Sequence, residues 1–502
     1  MTAPSNRPDP PTPRPLSNWT ILAGALVVLG VAAVVIWFVL LRHYGGTQIQ
    51  LDAIRTAGTL VIGTGGAMAL LLTARRQRYT ELTLVHTTRD ATERRITELY
   101  TKAADQLGSD KAPVRLAGLY ALERLAQNTP EQRQTIVDVI CAYLRMPYTP
   151  PDEQPPAEDA LAEAHERYEN RRQEQQVRLT AQNILSRNLR VVGRGRRRWW
   201  HRTPPNVLAW GGIGLDLAGA FLLEFSLANC LLDYANFTDT QFVGEANFET
   251  YFIGKVSFRS AQFTGKVSFR SAQFTGEASF AGAEFTGEAS FAGAEFTGEA
   301  SFAGAEFTMV HFGHAQFAYG ASFAGAEFTG EASFRSAEFT GGAYFGDAQF
   351  TGGALFMGAR FTRNLADFQR AEFTRADFRK TRFIDGASFE DAQFTGGANF
   401  EDAKFVDEAD FMGSQFTGGG ADYTCAANFR DTQFVYTHFD LPDFEGARVV
   451  ASAAGLNSGW PPGWTTRPAK PDHGEDPAFL YLTEVEEAQP RGTDPERGTP
   501  IT

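Results

Sequence analysis

Carboxylates, a pair of histidines and three cysteines are the side chains in this sequence that could carry chemistry. Carboxylates dominate: 59 Asp and Glu stand against 46 Lys and Arg, a formal net charge of -13. Many recur at fixed intervals, as Glu284, Glu295 and Glu306 do. Acid–base catalysis needs two carboxyl groups with unequal pKa values in one cleft. Carboxylates repeated at one interval arise from a repeat, so these three predict a column of like charges down one outer face. Such a column costs stability in return for solubility and an acidic surface. One irregular stretch, MVHFGHAQFAYG, puts His311, His314 and Tyr319 on the outer side of the repeat. Two nearby histidines could ligate a metal or exchange protons; a partner-binding spot fits better, and plain variation fits best. Cys141, Cys230 and Cys425 have no C-x-x-C spacing, which excludes a disulfide-rich scaffold and a cysteine-based structural zinc site. Phosphate-loop, nucleophile-elbow and H-E-x-x-H motifs are absent from the sequence. The expectation is a protein that is no enzyme, with no catalytic or metal-binding residue and no cofactor.

Phenylalanine defines the elements that must position these residues. Of 42 Phe, 40 fall between Phe221 and Phe444. Over residues 276–308 the unit GEASFAGAEFT occurs three times in succession, a period of 11 split into steps of 5 and 6. The ladder reads Phe258, Phe263, Phe269, Phe274, Phe280, Phe285, Phe291, Phe296, Phe302 and Phe307. Before them Leu222, Leu227, Leu232 and Phe237 keep a strict spacing of five. Alanine stands two positions before most ladder residues, for example Ala278, Ala283, Ala289 and Ala294. Residues two apart on an extended strand face the same side, so each unit reads as a very short strand with Ala and Phe inward. Steps of 5 and 6 leave no stripe on a helix. They suit a solenoid that turns a corner at each unit and stacks its coils at about 4.8 Å. Gly265, Gly276, Gly287 and Gly298 hold the extra residue, and a positive φ at a corner is the expected reason. Gaps of seven, from Phe361 to Phe368 and from Phe416 to Tyr423, predict bulged corners.

With SLANC, DYANF and QRAEF among its units, this pattern resembles the pentapeptide repeat family, in which Ala precedes a central Leu or Phe by two. The resemblance implies an all-β, right-handed quadrilateral β-helix over 213–448, with four five-residue sides per coil. About ten coils would make a rod roughly 50 Å long. The 5/6 spacing marks a Phe-rich variant.

Upstream, residues 1–18 read as a disordered lead. Residues 19–41 contain no charge and would extend about 34 Å as a helix, enough to cross a bilayer. Residues 56–74 form a second apolar run, and Arg75, Arg76 and Arg78 follow it. The expectation is a two-helix transmembrane hairpin, a multi-pass cell-membrane location and a cytoplasmic C-terminal region. Residues 79–146 read as a HEAT-like helical segment, 147–212 as a charged helical linker, and 449–502 as a cap with a loosely ordered tail. The basic run Arg194, Arg196, Arg197 and Arg198, followed by Trp199 and Trp200, could touch anionic lipid or nucleic acid, or be a solvated linker.

These features favour a non-catalytic, membrane-anchored scaffold that presents a rigid acidic rod to a protein partner. Glu284, Glu295, Glu306, His311 and His314 are its candidate interaction face, and membrane lipid is a second partner through the hairpin. Oligomers could form through the membrane helices or a rod end, and nucleic acid is disfavoured. The alternative follows from the resemblance: some pentapeptide repeat proteins mimic duplex DNA and bind type II topoisomerases. The acidic column agrees in sign, although Lys255, Arg259, Lys266, Arg270, Arg335 and the Arg363–Arg382 cluster interrupt it.

Overall fold

The computed structural model describes residues 90–152, 154–191, 210–417, 427–434, 443–450, 464–470 and 473–484, with isolated positions between 30 and 77. The chain divides into two compact units, Met1–Glu98 and Leu99–Thr502.

In the first unit the described residues are helical, among them Val31, Trp37, Ile62 and all of 90–98. No helix among the described residues is long and apolar enough to cross a membrane. The expected transmembrane hairpin is therefore corrected, and with it the multi-pass location and the membrane-anchored rod. Hydropathy reports the transfer preference of residues, whereas a span also needs one continuous helix to satisfy its backbone in lipid. Most of 19–41 and 56–74 lies outside the described residues.

The second unit begins with the end of the helix that runs through 90–107 and joins three further α-helices to a long solenoid. Helix α1 spans Ala112–Asn128, with Pro113 in its first turn where no N–H is needed. Helix α2 spans Arg133–Arg145 and α3 spans Ala162–Leu189. Their apolar stripes meet: Leu119, Leu122 and Ala126 of α1, Ile136, Val137 and Ile140 of α2, and Ala181, Ile184 and Leu185 of α3 are all fully buried. Helix α3 lies in the stretch read as a charged linker. Its first half is charged and mostly exposed, and from Val177 onward it becomes a core element. The helices cover the open end of the solenoid. The side-chain amide of Gln182 donates to Leu223 O at 2.8 Å and accepts from Leu223 N at 3.0 Å. Gln134 does the same for Gly214, at 2.9 and 3.0 Å. Each glutamine thus replaces one peptide of a missing coil, which is how an exposed sheet edge is satisfied.

One coil runs through strands Ala278–Ser279, Glu284–Ser290 and Glu295–Phe296, and Ala300–Ser301 then lies over the first. The long middle strand turns near Gly287 and serves two sides, so each coil has four faces. All coil-to-coil pairing is parallel, with Phe over Phe and Ala over Ala. Four ring ladders result. On the first face Phe258, Phe280 and Phe302 stack at 4.9 and 4.8 Å with planes within 5°. Third-face rings meet them edge-on, Phe269 lying 5.3 Å from both Phe258 and Phe280. Edge-to-face contact across the core and offset stacking along it are the two favourable aromatic geometries. This explains why one residue type fills nearly every position.

Corner chemistry differs from the expectation. In the regular coils positive φ falls after the first and third faces, at Gly282, Gly293 and Gly304, where other coils carry Ser260, Asp347 or Lys380; Gly244, Asn364, Gly386 and Gly397 add it after the second or fourth face. Gly265, Gly276, Gly287 and Gly298 stand at the other corners for a different reason. A Cβ on Gly287 would run into the backbone of Gly265 and Lys266 in the preceding coil. Gly287→Ala should therefore destabilise the solenoid by about 1–3 kcal/mol through overpacking. Gly282→Asn should cost only a few tenths, since Asn tolerates a left-handed backbone. Thermal melting of the two variants separates these outcomes.

The seven-residue gap after Phe361 is a corner with Asn364 at φ 60°. After Phe416 the third-face ladder resumes at Phe429, which stacks on Phe400 at 4.9 Å, and not at Tyr423. At the far end Arg448–Val450 pairs in parallel with Gln415–Phe416 and antiparallel with Phe479–Tyr481. Trp464–Pro468 pairs with Leu480–Glu484 and completes a hairpin. The hairpin lies within 449–502, and its second strand, Phe479–Glu484, falls in the part read as loosely ordered. Helices thus lie over one end of the solenoid and a hairpin over the other.

Candidate interaction surface

Two kinds of corner sort the outward residues into used and available side chains. On the first and third faces the residue before each Phe is typically Ser, Asn or Asp. Its side-chain oxygen accepts from the N–H two positions on: Asn247 from Glu249, Asp367 from Gln369 and Asp410 from Met412, each at 2.9 Å. These short side chains build the turn. On the second and fourth faces the equivalent residue, from Gln262 to Gln433, is Glu, Gln, Arg or Lys. The residue after the Phe is often Thr, whose hydroxyl donates to a Phe carbonyl of the preceding coil, as Thr286 does to Phe263 at 3.2 Å. The longer residue is left to face solvent.

Pairing register gives the charge map. On the second face Gln262, Glu284, Glu306, Glu327, Gln349 and Glu372 lie one above another. On the fourth face, opposite, the order is Gln273, Glu295, Gln316, Glu338, Arg360, Arg382, Lys404 and Gln433. Glu284 and Glu306 therefore stand together and gain Glu327 as a third member, while Glu295 belongs to the opposite face. Between Arg270 and Arg335 the chain holds eight Glu and no Asp, Lys or Arg. Two of the eight are paired at corners: Glu277 with Lys255 at 2.8 Å and Glu288 with Lys266 at 3.2 Å. Glu284 receives only the neutral amide of Gln262, at 3.3 Å.

His311 lies on the third face with Nε2 3.5 Å from the Glu288 carboxylate. His314 occupies a corner at φ 57° and Tyr319 is 63% exposed. No group of three or more His, Cys, Asp or Glu among the described residues could hold a metal. The irregular sequence has a structural cause. Val310 fills the buried Ala slot directly after Met309, so this coil omits the extra glycine. A shallow groove of about 490 Å³ beside His311 is lined by Ser268, Ser290, Lys266, Arg270 and Glu288. Glu224 and Glu245 also line it, so its three carboxylates share an open groove with Lys266 and Arg270. Burial pushes the Cys141 and Cys230 thiols up to about 12, far from a nucleophilic thiolate.

Lipid binding through a spanning hairpin is corrected, since no described helix can span. The basic run from Arg194 to Trp200 lies outside the described residues.

Sequence reading missed the basic half of the fourth face. Its signal is a spacing of 22 from Arg360 to Arg382 and again to Lys404, one coil each time.

Residues 248–422, in five overlapping segments, match the family model described as pentapeptide repeats (9 copies). No curated protein and no solved structure matches the chain. The repeat match and the lack of a metal-holding cluster among the described residues are both consistent with a non-enzymatic protein.

Proposed function

We propose that this pentapeptide-repeat β-solenoid is a non-catalytic binding protein whose acidic belt stands in for the phosphate backbone of duplex DNA. The partner is the DNA-binding groove of a type II topoisomerase, and occupancy of that groove modulates the enzyme. The observation that carries the reading is the three-glutamate ladder on the second face, Glu284, Glu306 and Glu327. It is set in a 64-residue stretch, 271–334, with eight Glu and no Lys or Arg. Rings beneath the ladder step by 4.7 and 5.2 Å, so its carboxylates rise at nearly the same interval. Phosphates along one DNA strand rise at about 3.4 Å, so the ladder is a sparser line of charge of the same sign. The scaffold compensates by rigidity: its backbone is hydrogen-bonded coil to coil, so little conformational entropy is lost on docking. Lys255 and Lys266 bound the belt on one side and Arg335 on the other. They limit the docking site to about three coils.

A DNA supercoiling assay with the full chain tests this. Inhibition at micromolar protein is expected. Charge reversal of Glu284, Glu306 and Glu327 to Lys should weaken it by about tenfold or more, because facing basic residues would then repel. No effect of the wild-type chain at micromolar concentration, or equal inhibition by a folded triple variant, would remove the reading.

A further inference from the structure

We propose that the fourth face is a self-complementary surface that pairs two copies of this chain as an antiparallel dimer. Read along the stack, its outward column is Gln273, Glu295, Gln316, Glu338, then Arg360, Arg382, Lys404, Gln433. A two-fold axis parallel to the strands, midway between the Glu338 and Arg360 coils, lays this column on itself in reverse. Glu338 then meets Arg360, Gln316 meets Arg382, Glu295 meets Lys404 and Gln273 meets Gln433. Each match occurs twice, as an isologous interface requires.

Three further observations favour a second copy as the occupant. Arg360, Arg382 and Lys404 form no ion pair among the described residues, although they stack in register one coil apart. Like charges directly opposed on a sheet are destabilising, and a facing acidic column would relieve that. Beside the charged column runs a strip of small or apolar residues, including Thr297, Ala318 and Thr340 in the acidic half and Ile384 and Val406 in the basic half. The same two-fold operation sets Ala318 against Ile384 and Thr297 against Val406. The strip is also cheap to desolvate. Thr297 and Thr340 already donate to the Phe274 and Phe317 carbonyls, at 3.3 and 3.2 Å, so their hydroxyls are partly satisfied within the rod. At the next corner Asp385 would meet Tyr319 and Asp407 would meet Gly298, so no like charges face each other there. The second face, with its acidic ladder, stays free on the outer side of each copy.

Sedimentation and light scattering of the full chain at low salt should give a dimer, twice the 55.0 kDa chain mass. The dimer should dissociate as salt rises, since exposed ion pairs are screened. Two variants sharpen the test. Changing Arg360, Arg382 and Lys404 to Glu makes the face wholly acidic, and changing Glu295 and Glu338 to Lys makes it wholly basic. Each should be monomeric alone, and a one-to-one mixture should form a heterodimer. A folding defect in either variant is bypassed by cysteine pairing on the otherwise native chain. Gln316→Cys with Arg382→Cys should cross-link between copies under mild oxidation, whereas Gln316→Cys with Glu295→Cys should not. A monomeric wild-type chain at tens of micromolar protein, or a dimer indifferent to both variants, would overturn the proposal. Supercoiling inhibition by a monomeric variant would leave the topoisomerase reading standing, so the two fail separately.

Discussion

Phe291→Ala is expected to destabilise the solenoid by about 3–5 kcal/mol, among the largest effects of any single substitution in the rod. The ring is fully buried and stacks on Phe269 at 4.6 Å and Phe312 at 4.7 Å. It also meets Phe280 and Phe302 edge-on at 5.3 and 5.4 Å. With the looser contacts to Phe285 and Phe296, truncation removes six aromatic contacts at once. The cavity cannot collapse, because Phe291 N bonds His311 O at 2.7 Å and the same pattern fixes the coils on both sides. Position along the rod should matter. Phe434 is only half-buried and stacks on Phe405 at 5.2 Å, so Phe434→Ala should cost well under half as much. Such a gradient is the signature of a stack in which each coil touches only its neighbours. Chemical denaturation of both variants reads it directly, and equal losses would contradict the ladder account.

Arg178→Leu should cost a comparable amount, about 3–5 kcal/mol, by breaking a buried charge network in the helical cap. The guanidinium is nearly inaccessible. It donates to Leu144 O at 2.9 Å and Met146 O at 2.7 Å, closing the C-terminal carbonyls of α2, and to Glu174 Oε1 at 2.9 Å. It also lies over the Tyr148 ring at 4.5 Å. Leucine would satisfy none of these, leaving two carbonyls and part of a carboxylate without partners. Glu174 would keep Arg115 and the Tyr143 hydroxyl, both within 2.9 Å. Arg178→Lys should recover only part of the loss, because one ammonium cannot reproduce the planar fork. The damage should reach the rod. Gln182, one turn along α3, would lose its alignment with Leu223, and the amide hydrogen of Leu223 should exchange faster with solvent. Unchanged exchange at Leu223 would mean the helices do not secure that coil edge.

The repeat and its inward residues could be read from spacing, because period-two alternation within five-residue units leaves little choice of facing, and the four-sided coil came from the resemblance to the pentapeptide repeat family. Which outward residues share a face could not. Glu284 and Glu295 are one unit apart and look equivalent in the string, yet two corners intervene and they point in opposite directions. Only a step of two units, as from Glu284 to Glu306, returns to the same side. Glycine was legible as a corner residue but not in its cause. Gly287 is required by a backbone passing beneath it, whereas the left-handed corner at Gly282 also accepts Ser, Asp and Lys in other coils. The helical cap over the first coil was obscured for a different reason. Gln134 and Gln182 look like ordinary surface residues of charged helices, and their role exists only against the first coil. The transmembrane reading rested on apolar length and flanking basic residues, and no helix among the described residues is long and apolar enough to bear it out.

The acidic belt as a substitute for DNA is tested most directly by competition on a type II topoisomerase. Fluorescently labelled duplex DNA, bound to the enzyme, is titrated with the full chain while anisotropy is followed. The predicted result is displacement of the DNA, weakening steeply as salt is raised and lost in the Glu284, Glu306 and Glu327 charge-reversal variant. Retention of the DNA at every concentration of the chain, or displacement unaffected by that variant, would contradict it.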